Sequence, residues 1–173
     1  MTHPRTPRLD DQLCFALYSA SRAFSRAYAP LLAELGLTYP QYVAMLVLWE
    51  QDDLSVSELG ARLALDSGTL TPLLKRLEEQ GLVRRARDPE DERVLRIRLT
   101  PAGEKLSEKA AEVPAALACR VGPDGGVHDL SQIRVLRDAV KQLTRALDAS
   151  VSSPAMPATI ANASRRPRKA PAR

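Results

Sequence analysis

The sequence predicts a mainly α-helical fold with a small β-hairpin wing, and three adjoining stretches carry the prediction. In DSGTLTPLLKRLEEQG, Leu70, Leu73, Leu74 and Leu77 recur at helical spacing. LVRRARDPEDERVLRIRLT follows at once, where Leu95, Ile97 and Leu99 alternate with Arg96 and Arg98 in the period-2 pattern of a half-buried strand. Just upstream, SVSELGARLAL opens on an S-x-x-E capping box, Ser55 and Glu58, with Leu59 and Leu63 facing the core. Helix, turn, helix and hairpin in that order describe a winged helix-turn-helix.

The chain has 173 residues, enough for one domain with a core of its own and a tail. Its net charge of +4 is set by the end of the chain: Arg165, Arg166, Arg168, Lys169 and Arg173 stand beyond Asp148 with no acidic residue among them, leaving the body slightly negative. Any affinity of the body for a polyanion must then come from placement of charge rather than excess. The longest apolar run, Tyr42 to Trp49, spans 8 residues, far short of the roughly 20 that cross a membrane. With no signal-like N-terminus either, a cytoplasmic protein is expected. Cys14 and Cys119, with His3 and His128, offer no metal-ligand spacing, so neither metal nor cofactor is expected.

Taken in order, residues 1–8 read as a flexible arm. A long helix begins at Leu9 with Asp10 as N-cap, keeps Leu13, Ala16, Leu17, Ala20, Phe24, Ala27 and Leu31 in register, and ends at Gly36. Cys14 lies in its first turns. Two readings stay open for it: a small buried hydrophobe, or a thiol activated by the helix N-terminus, an effect that Asp10 and Asp11 oppose. Tyr28 follows Cys14 by 14 residues, about 40° out of phase and roughly 21 Å along an ideal helix. Within one straight helix the two cannot touch, but two such helices crossing antiparallel about a two-fold axis could bring Tyr28 of one subunit to Cys14 of the other. The same holds for Tyr39, just before Pro40, which reads as the N1 residue of the next helix, Pro40 to Glu50. That helix is apolar nearly all round and should be buried.

In the following helix Pro72 interrupts the hydrogen-bond ladder; either the first turn is irregular or the regular helix starts nearer Thr69. Its leucine face leaves Thr69, Thr71, Lys75, Arg76 and Glu79 on other faces. Arg96 and Arg98 should face solvent or a polyanion, and Arg87 to Arg93 should project as a loop able to enter a DNA groove. Thr100 and Pro101 then start a helix through Leu106, Ala110, Val113, Leu117 and Val121, kinked at Pro114. After the break Gly122 to Gly126, Asp129 and Gln132 start a last helix whose Ile133, Leu136, Val140, Leu143 and Leu147 form a narrow seam suited to dimerisation, with packing on the chain's own first helix as the rival. Residues 149–173, rich in Pro, Ala, Ser and Arg, should be a disordered basic tail.

LDSGTLTPLLKRLEEQGLVRRARDPEDERVLRIRLTPAG resembles the DNA-binding lobe of MarR-type repressors, and among them the organic hydroperoxide resistance regulators; the similarity runs over about residues 9–148. It implies a MarR-like dimer with N-terminal helices over 9–52 for dimerisation and sensing, a DNA-binding lobe over 53–100 and C-terminal dimerisation helices over 101–148. It makes Asp66 to Gln80 the recognition helix, with Ser67, Thr69, Thr71, Lys75 and Arg76 as candidate DNA contacts. Arg84, Arg85, Arg87 and Arg93 become wing candidates, Arg93 of Asp91-Glu92-Arg93 being the minor-groove arginine. It also implies that Cys14 is a peroxide-sensing thiol met by the hydroxyls of Tyr28 and Tyr39 from the partner subunit, and that Cys119 matches the resolving thiol of the two-cysteine pattern. Phe15, Met45, Leu46 and Trp49 are candidates for an apolar wall beside Cys14 that would favour organic peroxides.

The function implied is a homodimeric repressor that holds palindromic operator DNA when reduced and lets go when an organic hydroperoxide oxidises Cys14. The alternative is a regulator of the same type released by a small lipophilic or aromatic ligand, with Cys14 merely buried. A thiol peroxidase lacks support, since the chain has neither C-x-x-C nor a βαβ pattern, and no enzyme is expected.

Overall fold

A computed structural model describes residues 7–121 and 130–152. The first stretch forms one unit and the second lies in another. Most of the arm, the Gly122 to Gly126 break with Asp129, and the tail beyond Ser152 lie outside the described residues.

A single 3-10 turn, Leu9–Asp11, precedes helix α1, Leu13–Ala33. The expected N-cap, Asp10, sits inside that turn, and Gln12 occupies the cap position with extended backbone. α1 closes through Gly36, whose φ of +68° only glycine adopts at low cost, with Leu37 N–H donating to Leu32 O at 3.0 Å. Along α1 only Leu32 is buried, while Leu13, Tyr18 and Phe24 are more than half exposed.

Helix α2 runs Tyr39–Glu50, one residue earlier than Pro40 suggested, because Thr38 N–H donates to Gln41 Oε1 at 2.8 Å across the first turn. Tyr42, Ala44, Met45 and Leu48 put it at the centre of the core, as its composition requires, although Leu46 is 38 % exposed. Strand β1, Leu54–Ser55, joins the hairpin strands β2, Val83–Arg87, and β3, Leu95–Leu99, pairing with β3 and making the expected hairpin a three-stranded antiparallel sheet of order β1-β3-β2. Two residues are too few for a periodicity to show in sequence.

Helix α3, Val56–Leu63, has the predicted capping box: Glu58 N–H donates to Ser55 Oγ at 3.1 Å and Ser55 N–H to Glu58 Oε2 at 2.7 Å. Helix α4, Ser67–Glu79, starts at Ser67 despite Pro72, because Asp66 holds its first turn, accepting from Thr69 N–H at 2.9 Å and Thr69 Oγ1 at 3.0 Å. Its four leucines are all buried. Strands β2, Val83–Arg87, and β3, Leu95–Leu99, pair Val83 with Leu99, Arg85 with Ile97 and Arg87 with Leu95.

The expected single kinked helix after the wing is two helices, α5 Pro101–Ala110 and α6 Val113–Val121, with Pro114 the second residue of α6 rather than a kink. Proline is tolerated in a first turn, where its missing N–H has no intrahelical partner. Thr100 caps α5 through Gly103 N–H at 3.1 Å. α6 packs on α1. Helix α7, Leu130–Ser152, forms the second unit and extends through Ala149–Ser152, which the sequence had placed in a disordered tail.

Candidate nucleic-acid interface and thiol site

Ser67, Thr69 and Thr71 open α4 and are exposed, as are Lys75 and Arg76 further along it. Thr71 Oγ1 is turned back onto Ser67 O at 2.6 Å, and Lys75 stands 3.7 Å from Glu79. Arg76 makes no side-chain hydrogen bond or ion pair with a described residue.

The wing arginines divide into free and committed groups. The side chain of Arg93 is 95 % exposed at the loop tip, with only Asp91 near, at 3.9 Å. Arg84 is exposed, and its guanidinium has no partner among the described residues. Arg85, by contrast, is held by Glu78 of α4: Nε and Nη2 reach Oε2 at 2.7 and 2.6 Å, and its backbone N–H donates to Oε1 at 3.0 Å. These bonds hold the Glu78 carboxyl below its ordinary pKa. Arg85 therefore ties the hairpin to α4 instead of reaching outward. Arg87 Nη1 donates to Glu92 O at 2.9 Å and so braces the loop that presents Arg93.

Arg96 and Arg98 were expected to face solvent or a polyanion; Arg98 is exposed and Arg96 half-buried, and both converge on Asp53, in the turn between α2 and β1. Arg96 Nε lies 2.7 Å and Arg98 Nε 2.9 Å from Asp53 Oδ1, Arg98 Nη2 donates to Oδ2 at 3.0 Å, and Arg96 Nη2 donates to the Asp53 carbonyl. Hydrogen bonds from Arg98 and Arg96 hold the Asp53 carboxyl at a pKa of about 2. Sequence reading missed Asp53 and Glu78. The available signal was a pair of acids, Asp52-Asp53, ahead of a strand paired with an arginine-alternating one.

At the other end of α2, Tyr39 and Tyr28 bring their rings to 5.1 Å between centroids, and Tyr42 lies 5.8 Å from Tyr28. Burial, with Tyr39 adding to it, raises the Tyr28 pKa, so its hydroxyl stays a neutral donor. Cys14 is exposed on the second residue of α1, about 21 Å along the helix from Tyr28. The two predicted tyrosines thus come together, but far from the Cys14 of their own chain. Cys119 is exposed on α6.

Of the four candidate wall residues, Met45 is fully buried in the core, and Trp49 is anchored by Nε1–H donating to Gly103 O at 2.8 Å. Phe15 is half-buried and Leu46 exposed. On α7, Ile133, Leu136 and Leu147 are 47–61 % exposed, with Val140 and Leu143 half-buried. No described helix is long and apolar enough to cross a membrane.

Comparison with known proteins gives a consistent set of matches. The model of the MarR family matches residues 37–95. The chain is 52 % identical over 157 residues to the HTH-type transcriptional regulator TtmR of Methylorubrum extorquens, covering 91 % of this chain and 77 % of that one. It is 49 % identical over 127 residues to the organic hydroperoxide resistance transcriptional regulator of Bacillus subtilis, covering 73 % and 85 %. Among solved structures, reduced AbfR bound to DNA superposes with a TM-score of 0.68 at 36 % identity, over 81 % of this chain and 95 % of that one; AbfR is a protein of Staphylococcus epidermidis.

Proposed function

The chain belongs to the MarR family of transcriptional regulators, and from that premise we propose a homodimeric, DNA-binding repressor that an organic hydroperoxide switches off through Cys14. The observation that carries the reading is an exposed Cys14 at one end of the long, largely exposed α1, with Tyr28 toward its other end packed against Tyr39 of α2. Two copies of α1 crossing antiparallel would bring each pair to the partner's thiol, and the apolar stripe of α7 offers further surface for dimerisation. The two recognition helices would then read successive major grooves roughly 34 Å apart, with Ser67, Thr69, Thr71, Lys75 and Arg76 toward the duplex and Arg84 and Arg93 on the wings.

Tyrosine hydroxyls donating to the Cys14 sulfur favour thiolate over thiol. The thiolate attacks the terminal oxygen of ROOH and the O–O bond breaks. The alkoxide leaves and takes up a proton as ROH, and Cys14, oxidised by two electrons, becomes a sulfenic acid. The Cys119 thiol of the partner subunit then attacks that sulfur, an S–S bond forms and water leaves. A disulfide needs its sulfurs at about 2.05 Å, so helices carrying thiols that start farther apart must move, and the wings lose their register on DNA with them.

The test is a non-reducing gel of wild type, Cys14→Ser and Cys119→Ser after stoichiometric cumene hydroperoxide. A covalent dimer in wild type alone supports the pairing. A covalent dimer in Cys119→Ser, or none in wild type whose Cys14 has become a sulfenic acid, removes Cys119 from the mechanism.

A further inference from the structure

α2 carries Tyr39 at its first residue and runs straight into the Asp52-Asp53 turn at its other end. That turn grips the sheet at several points. Asp52 Oδ1 accepts from Leu99 N–H at 2.8 Å, and Asp53 takes the Arg96 and Arg98 guanidinium groups from β3. Arg96 also reaches forward, placing Nη1 3.3 Å from Asp88 Oδ2 at the base of the wing loop. The other Asp88 oxygen accepts from Glu90 N–H at 2.9 Å and lies 3.4 Å from Asp91 N, while Asp91 Oδ1 accepts from Arg93 N–H at 3.0 Å. A continuous series of charge-assisted hydrogen bonds thus runs from the end of α2 to the tip of the wing.

The turn is also shaped for this grip. Asp53 has a φ of +57°, a left-handed conformation that Asp and Asn tolerate and most residues do not, and it directs the carboxylate and the carbonyl of one residue at one guanidinium. Ion pairs as exposed as these contribute little stability on their own. Their geometry, two arginines on one carboxylate and one arginine across two aspartates, fixes orientation.

We infer that Asp53 is the positioning residue that sets the wing's placement relative to α2, and through Arg96 and Asp88 presents Arg93 to DNA. The inference rests on Arg93 being the wing contact proposed above. Asp53 touches no DNA in this account; it acts only through the tip.

The experiment is a double-mutant cycle on DNA affinity, measured by anisotropy with reduced protein and no peroxide. The variants are Arg93→Ala, Asp53→Asn, Arg96→Ala and each clamp variant combined with Arg93→Ala. Asn keeps the left-handed turn available, and Arg96→Ala attacks the clamp without touching the turn; circular dichroism melts confirm folding. Arg93→Ala is expected to weaken binding roughly tenfold, each clamp variant by several-fold, and each double variant no more than Arg93→Ala alone. If the losses multiply, or if both clamp variants bind like wild type while Arg93→Ala does not, the inference is overturned and the wing contact stands. If Arg93→Ala itself binds like wild type, both are overturned.

Discussion

The rings of Tyr28 and Tyr39 pack 5.1 Å apart, joining the late turns of α1 to the first residue of α2. Cys14 lies at the other end of the same α1. Sensing that used only one subunit would leave these tyrosines idle, whereas the crossed helices of the proposed dimer would put them to use.

Tyr28→Phe and Tyr39→Phe keep the ring packing and remove only the hydroxyl. Each variant is expected to fold and bind DNA like wild type, and to lose its Cys14 thiol to organic hydroperoxide roughly tenfold more slowly, as the loss of one charge-assisted hydrogen bond of about 1.5 kcal/mol implies. Thiol titration during peroxide treatment of reduced protein measures the rate. An unchanged rate in both variants would make the tyrosines core aromatics only.

The hairpin arginines should separate in their effects. Arg84→Ala removes a free cation and is expected to weaken DNA binding with a salt slope smaller by about one. Arg85→Ala is expected to lower the melting temperature, because it leaves Glu78 without its guanidinium and the hairpin loose on α4. Salt titrations of affinity, paired with thermal melts, distinguish the two.

Acid should weaken the wing clamp in a defined window. The Asp53 carboxyl has a pKa of about 2 in the folded chain against an ordinary 3.8. A depressed carboxyl pKa contributes stability above the unfolded value, and that contribution is lost as pH falls from about 4 through 2. Asp53→Asn should therefore melt below wild type at neutral pH, by roughly 2–4 °C if the network contributes about 1 kcal/mol. The two curves should converge near pH 2.

Among the described glycines, Gly103 of α5 sits tightest against its surroundings. A Cβ there would overlap the Leu82 carbonyl, and Gly103 O accepts the Trp49 indole N–H. Alanine normally favours a helix by about 1 kcal/mol over glycine, yet Gly103→Ala is expected to destabilise by roughly 1–3 kcal/mol through that overlap. A denaturant melt reads it directly.

What was legible in the sequence followed periodicity and capping. The leucines of α4, the Ser55–Glu58 box and the alternation in β3 each repeat a local pattern, and each stands where that pattern places it. Asp53 and Glu78 were missed, because a surface acid looks much the same whether it faces water or a guanidinium, 43 residues on for Asp53 and 7 for Glu78. The same blindness put Arg85 beside Arg84 as a wing candidate and left Arg96 and Arg98 facing solvent or a polyanion. The split of the helix at Ala111–Glu112 was hidden for a different reason: Pro114 fits a kink and a first turn equally well, and only tertiary packing decides between them. Tyr28 and Tyr39 were singled out through family resemblance, and their ring contact came from how α1 and α2 pack.

The central claim is that oxidation of Cys14 releases DNA. Fluorescence anisotropy of reduced wild type and Cys14→Ser on the DNA upstream of the gene, before and after stoichiometric organic hydroperoxide, tests it most directly. The account predicts that both proteins bind, that peroxide releases wild type, and that Cys14→Ser stays bound. Release of both proteins, or of neither, would contradict it.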